Sequence, residues 1–344
     1  MSAEWRINRS GEVTPPPGAG SWIRDLDEAV AAWCDGQPIL RTSGSTGTPK
    51  EHRFTPQAVM ASARDTALHF GLNGRHVSAW SALPATGTGG RMMVWRALIL
   101  GWDLSVAKPS ACPVPEKGKD ASPHDFAVAT PMQMAHVLDA GALSCSRKWL
   151  VGGAPVHPDL EARMAHAAGA SGCTIHHGFG MTETLTHIAT RALGSDLYRT
   201  LPGIAISVDR FGALMVDAPG RGISRLRTRD AVELVETDAG PNFRWLGRLD
   251  DIINTGGLKV HPAALERAWS DQLAKLMGPR RWYISGREDD TLGQRITVVV
   301  EGTRDDALAD RVLEVLSGEG NTRPRSVEFR TDFAMTDTGK VRRI

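Results

Sequence analysis

The order of apolar periodicities along the chain is the feature that most restricts its fold. In residues 80–204, short apolar runs such as Phe126–Ala129 alternate with helical patterns. From Ala205 apolar residues recur at every second position, and after Asp250 helical and strand patterns are mixed. Alternating strands and helices predict a parallel sheet with crossover helices, whereas a period of two predicts antiparallel strands. We therefore expect an α/β fold that contains an antiparallel β meander.

The same patterns predict two domains. At roughly 150 residues per domain, a chain of 344 residues suits two domains, and an apolar content of 41% can fill a large core. We place residues 1–248 in a large N-terminal domain and residues 249–344 in a small α+β domain. Local signals predict helices over residues 22–33 and from Pro158, and a third helix from Pro56, because Thr55 precedes that proline as an N-cap.

The composition argues against several classes of partner. Lys and Arg total 40 and Asp and Glu total 39, so a net charge of +1 gives no field that would draw the chain to nucleic acid or anionic lipid. No apolar run approaches the roughly 18 residues of a membrane span, and Glu4 and Arg6 stand where a signal peptide would be apolar. Four widely spaced cysteines without a CxxC pair indicate neither disulfides nor zinc. These features predict a cytoplasmic protein that binds neither nucleic acid nor membrane.

A loop rich in hydroxyl groups and glycine precedes the helix predicted from Pro56. Glycines let successive backbone N–H groups converge on an anion, hydroxyls add donors and a lysine adds charge, which together suit a polyphosphate. The Walker A spacing is absent, so a P-loop nucleotide hydrolase is not indicated. Taken alone, such a loop is more often a flexible connection. Its residues of interest are Thr42, Ser43, Gly44, Ser45, Thr46, Gly47 and Lys50.

Four further stretches follow this loop in a characteristic order, at residues 178–183, 228–230, 247–257 and 336–340. Together with the loop they make the chain similar, from Leu40 to its end, to the adenylate-forming superfamily of acyl-CoA synthetases, peptide-synthetase adenylation domains and luciferases. Within that superfamily the chain most resembles the short o-succinylbenzoate–CoA ligases of menaquinone biosynthesis, through residues 90–98, 151–155, 181–189 and 243–248. Few residues precede the loop, so the resemblance implies a shortened N-terminal subdomain.

The resemblance implies a two-step reaction that uses ATP, Mg²⁺ and coenzyme A. A carboxylic acid would become an acyl-AMP, and the acyl group would then pass to the thiol. Among the catalytic groups, Glu183 would hold Mg²⁺ and Thr182 would contact phosphate. Lys340 would bridge the carboxylate and the α-phosphate when the small, mobile domain closes about a hinge at Asp250. Other nucleotide contacts would come from the loop and from Gly153, Ala154, Gly178, Phe179, Gly180, Met181, Asp230 and Arg248, and the acyl and thiol pockets would involve Thr86, Arg91, His187, Gly256 and Gly257.

Each implied role has a physical reason and a simpler alternative. Joining a carboxylate to a triphosphate brings two anions together, so the site needs cations and hydrogen-bond donors. Asp230 and Arg248 offer an acceptor and a donor to the ribose diol. Glu183, Asp230 and Arg248 could instead be a loop acid, a turn cap and a surface ion-pair partner. Lys340 could be an exposed lysine, and His187 is more often a structural histidine than a substrate contact.

Other positions depart from the family pattern or carry a second interpretation. Phe179 stands where the family often has tyrosine, so its ring can stack on adenine but supplies no hydroxyl. Arg91 stands where short ligases usually have lysine, and its guanidinium could bind a second carboxylate bidentately. The adjacent His176 and His177 would point to opposite faces of a strand, so we do not interpret them as a metal pair.

Three functions stay open at this point. The first is an acid–thiol ligase that uses o-succinylbenzoate or a related aryl acid. The second is a stand-alone adenylation enzyme that loads a carrier protein, and the third is a non-catalytic homologue that binds an acyl-adenylate. The joint presence of Glu183, Asp230, Arg248 and Lys340 argues against the third, since such a homologue has no physical need of all four. The sequence leaves open the acid, the thiol acceptor and formation of a homodimer.

Overall fold

A computed structural model describes residues 4–17, 20–41, 50–115, 122–237, 240–316, 320–334 and 341. The chain divides into two compact units, and it passes between them repeatedly. The first unit comprises Met1–Ile206, Val216–Leu226 and Glu236–Asn242. The second unit comprises Ser207–Met215, Arg227–Val235 and Phe243–Ile344.

The first unit is built on a mixed sheet flanked by helices. Its strands are β1 (Trp5–Ile7), β2 (Val13–Thr14), β3 (Ile39–Arg41), β4 (Glu51–Arg53), β5 (Ser78–Ser81), β6 (Asp103–Val106), β7 (Phe126–Ala129), β8 (Lys148–Val151), β9 (Thr174–Met181), β10 (Thr186–Ala192) and β11 (Leu197–Thr200). Its helices are α1 (Ser21–Cys34), α2 (Pro56–His69), α3 (Thr88–Leu100), α4 (Pro131–Asp139) and α5 (Pro158–Ser171).

The predicted parallel sheet is confirmed. The strands lie in the order β11-β10-β9-β8-β7-β5-β6-β1-β2. Strand pairs within the run from β9 to β6 are parallel, whereas β10, β11, β1 and β2 add antiparallel edges. Separate from this sheet, β3 and β4 form an antiparallel hairpin. The carboxyl ends of parallel strands meet at one edge, which is where α/β proteins bind their ligands.

Local signals and burial explain the elements of this unit. Helix α2 begins as predicted, because the Thr55 side chain accepts a hydrogen bond from the backbone N–H of Ala58 at 3.2 Å and Pro56 occupies the first turn. Several tryptophans form the core, among them Trp80 and Trp149, whose rings meet edge to face with their centroids 6.1 Å apart.

No helix in the described part of the chain is both long and apolar enough to span a membrane.

The remaining strands and helices match the predicted meander and α+β region. Strands β12 (Ala205–Val208), β13 (Ala213–Ala218), β14 (Ile223–Thr237) and β15 (Gly240–Arg248) lie side by side in chain order. After β15, the elements of the second unit are β16 (Ile253–Thr255), β17 (Leu258–Val260), α6 (Pro262–Ala268), α7 (Ser270–Met277), β18 (Trp282–Asp289), β19 (Gly293–Glu301), α8 (Asp306–Val315) and β20 (Ser326–Arg330). Strand β19 pairs antiparallel with β18 and parallel with β20, and the side chains of Leu273, Val298 and Val312 meet in a separate core.

Candidate active site

The turn between β9 and β10 is built on a close approach of two backbones. Gly180 lies opposite His187 in the antiparallel pairing. A Cβ atom at Gly180 would lie 2.0 Å from the carbonyl oxygen of Thr186 and 2.5 Å from the Cα of His187. Any side chain at this position would therefore collide with main-chain atoms. The predicted nucleotide residues Gly178, Phe179, Gly180 and Met181 lie at the carboxyl end of β9, with Thr182 and Glu183 next in the turn.

Two buried arginines hold this turn in an uncommon backbone conformation. Leu185 has φ +64° and Thr186 has φ +139°, both unusual for residues with side chains. Arg221 donates hydrogen bonds through Nη1 to the carbonyl oxygens of Thr184 at 3.0 Å and His187 at 3.2 Å. Arg96 donates through Nη2 to Thr186 Oγ1 at 2.9 Å. Strained backbone of this kind persists where surrounding contacts fix it, and it concentrates at functional sites.

The two turn residues Thr182 and Glu183 have different neighbours. Thr182 Oγ1 lies 2.8 Å from Thr88 Oγ1 at the start of α3. Glu183 has a side chain that is 41% exposed, and its Oε1 lies 4.0 Å from Nε2 of His52 on β4. Lys50 is exposed and directly precedes that strand. Thr42, Ser43, Gly44, Ser45, Thr46 and Gly47 lie outside the described residues.

The predicted nucleotide contacts Gly153, Ala154 and Phe179 come from two neighbouring parallel strands. Gly153 and Ala154 follow the carboxyl end of β8, and Phe179 lies near the carboxyl end of β9. Since β8 and β9 pair in parallel register, both contacts lie at the same edge of the sheet. The first unit thus brings together, at one edge, these predicted nucleotide contacts and the predicted magnesium ligand Glu183.

The second unit carries the predicted ribose and hinge residues. Asp230 is only 6% exposed, and its Oδ1 accepts a hydrogen bond from the indole Nε1–H of Trp245 at 2.9 Å. Asp250, the predicted hinge residue, accepts hydrogen bonds through Oδ2 from Arg229 Nη1 at 3.1 Å and from Arg248 Nη2 at 3.4 Å. Trp245 and Arg229 lie within the matched stretches 243–248 and 228–230, but the sequence-based prediction assigned neither of them a role.

Of the two remaining predicted stretches in this unit, the structure describes Gly256 and Gly257 but not Lys340. Gly256 and Gly257 form the two-residue turn between β16 and β17, with φ values of +54° and +81°. A two-residue hairpin turn with positive φ at both central positions favours glycine strongly, which explains this part of the motif. Lys340 lies outside the described residues.

The predicted acyl-pocket residues differ in their surroundings. Thr86 is exposed in the loop before α3. His187 is buried, and its Nε2 lies 3.5 Å from Thr66 Oγ1. Burial, followed by the nearby cations of Arg96 and Arg221, holds the pKa of His187 well below its ordinary value. The imidazole is therefore neutral at physiological pH and offers no positive charge to a carboxylate.

Arg91 and Arg96 lie on the same helix but have different partners. Arg91 donates through Nε to the Ala85 carbonyl at 3.1 Å, through Nη1 to the Ile39 carbonyl at 3.2 Å and through Nη2 to Glu28 at 3.1 Å. Arg96 is 2% exposed, and within the described residues its Nε has no hydrogen-bond partner. Burial and the neighbouring Arg221 lower the pKa of Arg96 to about 9, so its guanidinium stays charged near neutral pH.

The contacts of Arg91 lead to a specific prediction for Arg91→Ala. Because the guanidinium joins α1, β3 and the loop before α3, its loss should lower the thermal unfolding midpoint by several degrees. We expect KM for the acid and KM for ATP to change by similar factors, within about threefold. Steady-state kinetics and a thermal melt of the purified variant check both expectations. A selective rise in KM for a dicarboxylic acid would instead support the role predicted from the sequence.

Comparison with known proteins places this site in a family. The model for the family described as "AMP-binding enzyme" matches residues 37–222. A probable 2-succinylbenzoate–CoA ligase from Mycobacterium tuberculosis is 29% identical over 283 residues, which is 76% of this chain and 70% of that protein.

Solved structures show the same fold. An acyl-CoA synthetase (AMP-forming)/AMP-acid ligase II-like protein from Dyadobacter fermentans superposes with a TM-score of 0.64 at 28% identity, covering 99% of this chain and 97% of that one. The o-succinylbenzoate CoA synthetase of Bacillus subtilis in complex with the acyl-adenylate intermediate OSB-AMP gives 0.69 at 22% identity, over 88% of this chain and 67% of that one. The resemblance recognised in the sequence and the predicted fold class are therefore confirmed. With the family model matching more than half of its length, this chain belongs to the AMP-binding enzyme family.

Proposed function

We propose that this protein is an ATP- and Mg²⁺-dependent acid–thiol ligase that forms an acyl-AMP and then a thioester of coenzyme A. The observation that carries the proposal is the position of Glu183. Its carboxylate lies at the carboxyl edge of the sheet, with Oε1 4.0 Å from Nε2 of His52 on β4, the strand that follows the hydroxyl-rich loop in the sequence. A nucleotide whose phosphates contacted that loop would thus have an acidic group within reach for its metal ion.

The residues present fit a magnesium site of the usual kind for nucleotide enzymes. Among the described residues, no group of three or more His, Cys, Asp or Glu side chains could hold a metal ion. Mg²⁺ in such enzymes is commonly held by one or two carboxylates, water and substrate phosphates, so Glu183 alone suffices on the protein side. When bound, the ion would neutralise charge on the phosphate oxygens. The B. subtilis synthetase, solved with ATP and magnesium, supports this assignment by fold.

The chain's other residues would bind and orient the reactants. The hydroxyls of Ser43, Ser45 and Thr46 would donate to the phosphates, Phe179 would stack on adenine, and Asp230 and Arg248 would bond the ribose. A carboxylate oxygen of the acid would then attack the α-phosphorus, and the bond to pyrophosphate would break. In the second step the thiolate of coenzyme A would attack the acyl carbon, and AMP would leave.

An aromatic dicarboxylate such as o-succinylbenzoate is the proposed acid. The relatives named for 2-succinylbenzoate support this choice. Beneath the turn after β9, the buried guanidinium groups of Arg96 and Arg221 lie close enough to repel each other, and Arg221 contacts the carboxylate of Asp65 at 2.9 Å. Burying cations is unfavourable unless anions accompany them. We therefore propose Arg96, in place of Arg91, as the candidate for binding the second carboxylate of the acid.

A pyrophosphate-release screen tests the proposed function. Aryl and succinyl acids would each be incubated with the protein, ATP and Mg²⁺, with and without coenzyme A. We expect pyrophosphate release that depends on one acid, and a thioester when coenzyme A is present. Acyl-AMP without any thioester would favour loading of a carrier protein. Tight AMP binding without pyrophosphate release would favour a non-catalytic homologue.

A further inference from the structure

We propose that Tyr198 and His177 are positioning residues that fix two walls of the nucleotide site, Phe179 and the Ala154 loop, and so set the affinity for the nucleotide. The inference rests on the proposed function, because the resemblance supplies the assignment of Phe179 to adenine and of Ala154 to the nucleotide. The structure adds a side-chain connection between these two walls, which the sequence-based prediction did not contain. It consists of two hydrogen bonds and one ring contact.

The first part of the connection runs from His177 to the wall that follows β8. His177 is buried on β9, and its Nε2 lies 3.1 Å from the carbonyl oxygen of Ala154. A carbonyl oxygen only accepts, so Nε2 carries the proton. Burial, followed by the Arg191 cation, lowers the pKa of His177 to about 4. The ring is therefore neutral near pH 7, and its Nδ1 is an acceptor.

The second part runs from Tyr198 to His177 and to Phe179. The Tyr198 hydroxyl lies 2.8 Å from His177 Nδ1, and since Nδ1 is an acceptor, the hydroxyl donates. The ring of Tyr198 contacts the ring of Phe179 edge to face, with centroids 5.5 Å apart. One tyrosine on β11 thus contacts the predicted stacking ring directly and reaches the Ala154 loop through one histidine.

Tyr198 is itself fixed by charged neighbours. The guanidinium carbon of Arg191 lies 5.8 Å from the centre of the Tyr198 ring. Arg191 forms a two-pronged ion pair with Glu161 on α5, which includes an Nη2 to Oε2 distance of 2.6 Å. A bidentate pair of this type orients both partners. These contacts therefore connect α5, through Arg191 on β10 and Tyr198 on β11, to Phe179 at the edge of the sheet.

This arrangement predicts that substitutions of Tyr198 or His177 weaken nucleotide binding and change binding of the acid little. Before ATP binds, the ring of Phe179 lies 5.5 Å from the ring of Tyr198, and the Ala154 carbonyl oxygen lies 3.1 Å from His177 Nε2. Because these contacts already hold both walls, less conformational ordering has to accompany nucleotide binding. Tyr198→Phe keeps the ring contact with Phe179 and removes the hydroxyl that donates to His177 and also interacts with Arg191. The loss of one buried hydrogen bond should weaken AMP binding about three- to tenfold.

The test measures AMP binding by calorimetry, together with KM for ATP, KM for the acid and kcat. For Tyr198→Phe we expect the AMP dissociation constant and KM for ATP to rise by about the same three- to tenfold, with KM for the acid and kcat changed less than about twofold. His177→Leu should cause a larger loss. His177→Gln should recover part of it, because its amide can donate to the Ala154 carbonyl.

Tyr283→Phe is the matched control. Tyr283 is also buried, lies on β18 in the second unit and packs against Phe333 with centroids 5.0 Å apart. It should leave AMP binding within about twofold of the unchanged protein. Wild-type AMP affinity in Tyr198→Phe, or equal effects on ATP and acid, would overturn the positioning role alone. Failure of the unchanged protein to bind AMP would overturn the proposed function as well.

Discussion

Replacement of Lys340 by alanine is expected to slow acyl-AMP formation about 100- to 1,000-fold. The resemblance places this lysine between the carboxylate and the α-phosphate, where negative charge shifts toward pyrophosphate as the bond breaks. A cation already in place stabilises that transition state without reorganisation of solvent. Because the effect concerns the transition state, KM for ATP should change far less than kcat. Single-turnover measurement of pyrophosphate release gives the adenylation rate directly.

The thioester step provides an internal control for this prediction. The same lysine has no assigned role in transfer to coenzyme A, so Lys340→Ala supplied with preformed acyl-AMP should make thioester at a rate within about threefold of the unchanged protein. Lys275→Ala, at an exposed position on α7, should leave both steps unaffected. Adenylation at the normal rate in Lys340→Ala would remove the lysine from the mechanism.

Glu183→Gln is expected to lower the adenylation rate about 100-fold at ordinary Mg²⁺ concentration. Glutamine keeps the size of the side chain and one oxygen but loses the negative charge that a hard divalent cation requires. The side chain is 41% exposed in the turn, so the substitution should leave folding intact. Part of the lost rate should return as Mg²⁺ is raised, since weaker ion binding is the cause of the defect.

Glu314→Gln serves as the comparison for Glu183→Gln. Glu314 is exposed on α8 in the second unit. The Glu314→Gln variant therefore measures the effect on the rate of losing one exposed carboxylate that has no predicted role in the site. We expect its Mg²⁺ dependence to match that of the unchanged protein. If Glu183→Gln shows the same Mg²⁺ dependence and rate as Glu314→Gln, Glu183 does not hold the ion.

The sequence predicted the elements of the fold well because their signals are local. The Thr55-Pro56 pair marks the start of α2, and the run Phe126–Ala129 is a buried strand as its apolar residues imply. The full length of β9 has no such local signal, because the strand continues to Met181 through glycines and polar residues. Pairing with β10 along that stretch supplies hydrogen bonds that a local pattern does not reveal.

The candidate site was harder to predict because it depends on the direction of side chains. Arg91 and Arg96 occupy one helix within five positions, and only the packing of α3 shows that Arg91 bonds Glu28 while Arg96 reaches Thr186. Contacts between residues distant in the chain, such as Trp245 with Asp230, leave no periodic signal. Glycine was the exception, because motif glycines such as Gly180 report a close backbone approach directly.

Detection of the acyl-AMP itself tests the central claim most directly. The protein would be incubated with ATP, Mg²⁺ and a set of aryl dicarboxylic acids in the absence of coenzyme A. The products would then be separated and identified by mass spectrometry. We predict a species that joins the acid to AMP, formed together with pyrophosphate and converted to thioester and AMP when coenzyme A is added. Formation of ADP and phosphate instead, or pyrophosphate release that does not depend on any acid, would contradict the account.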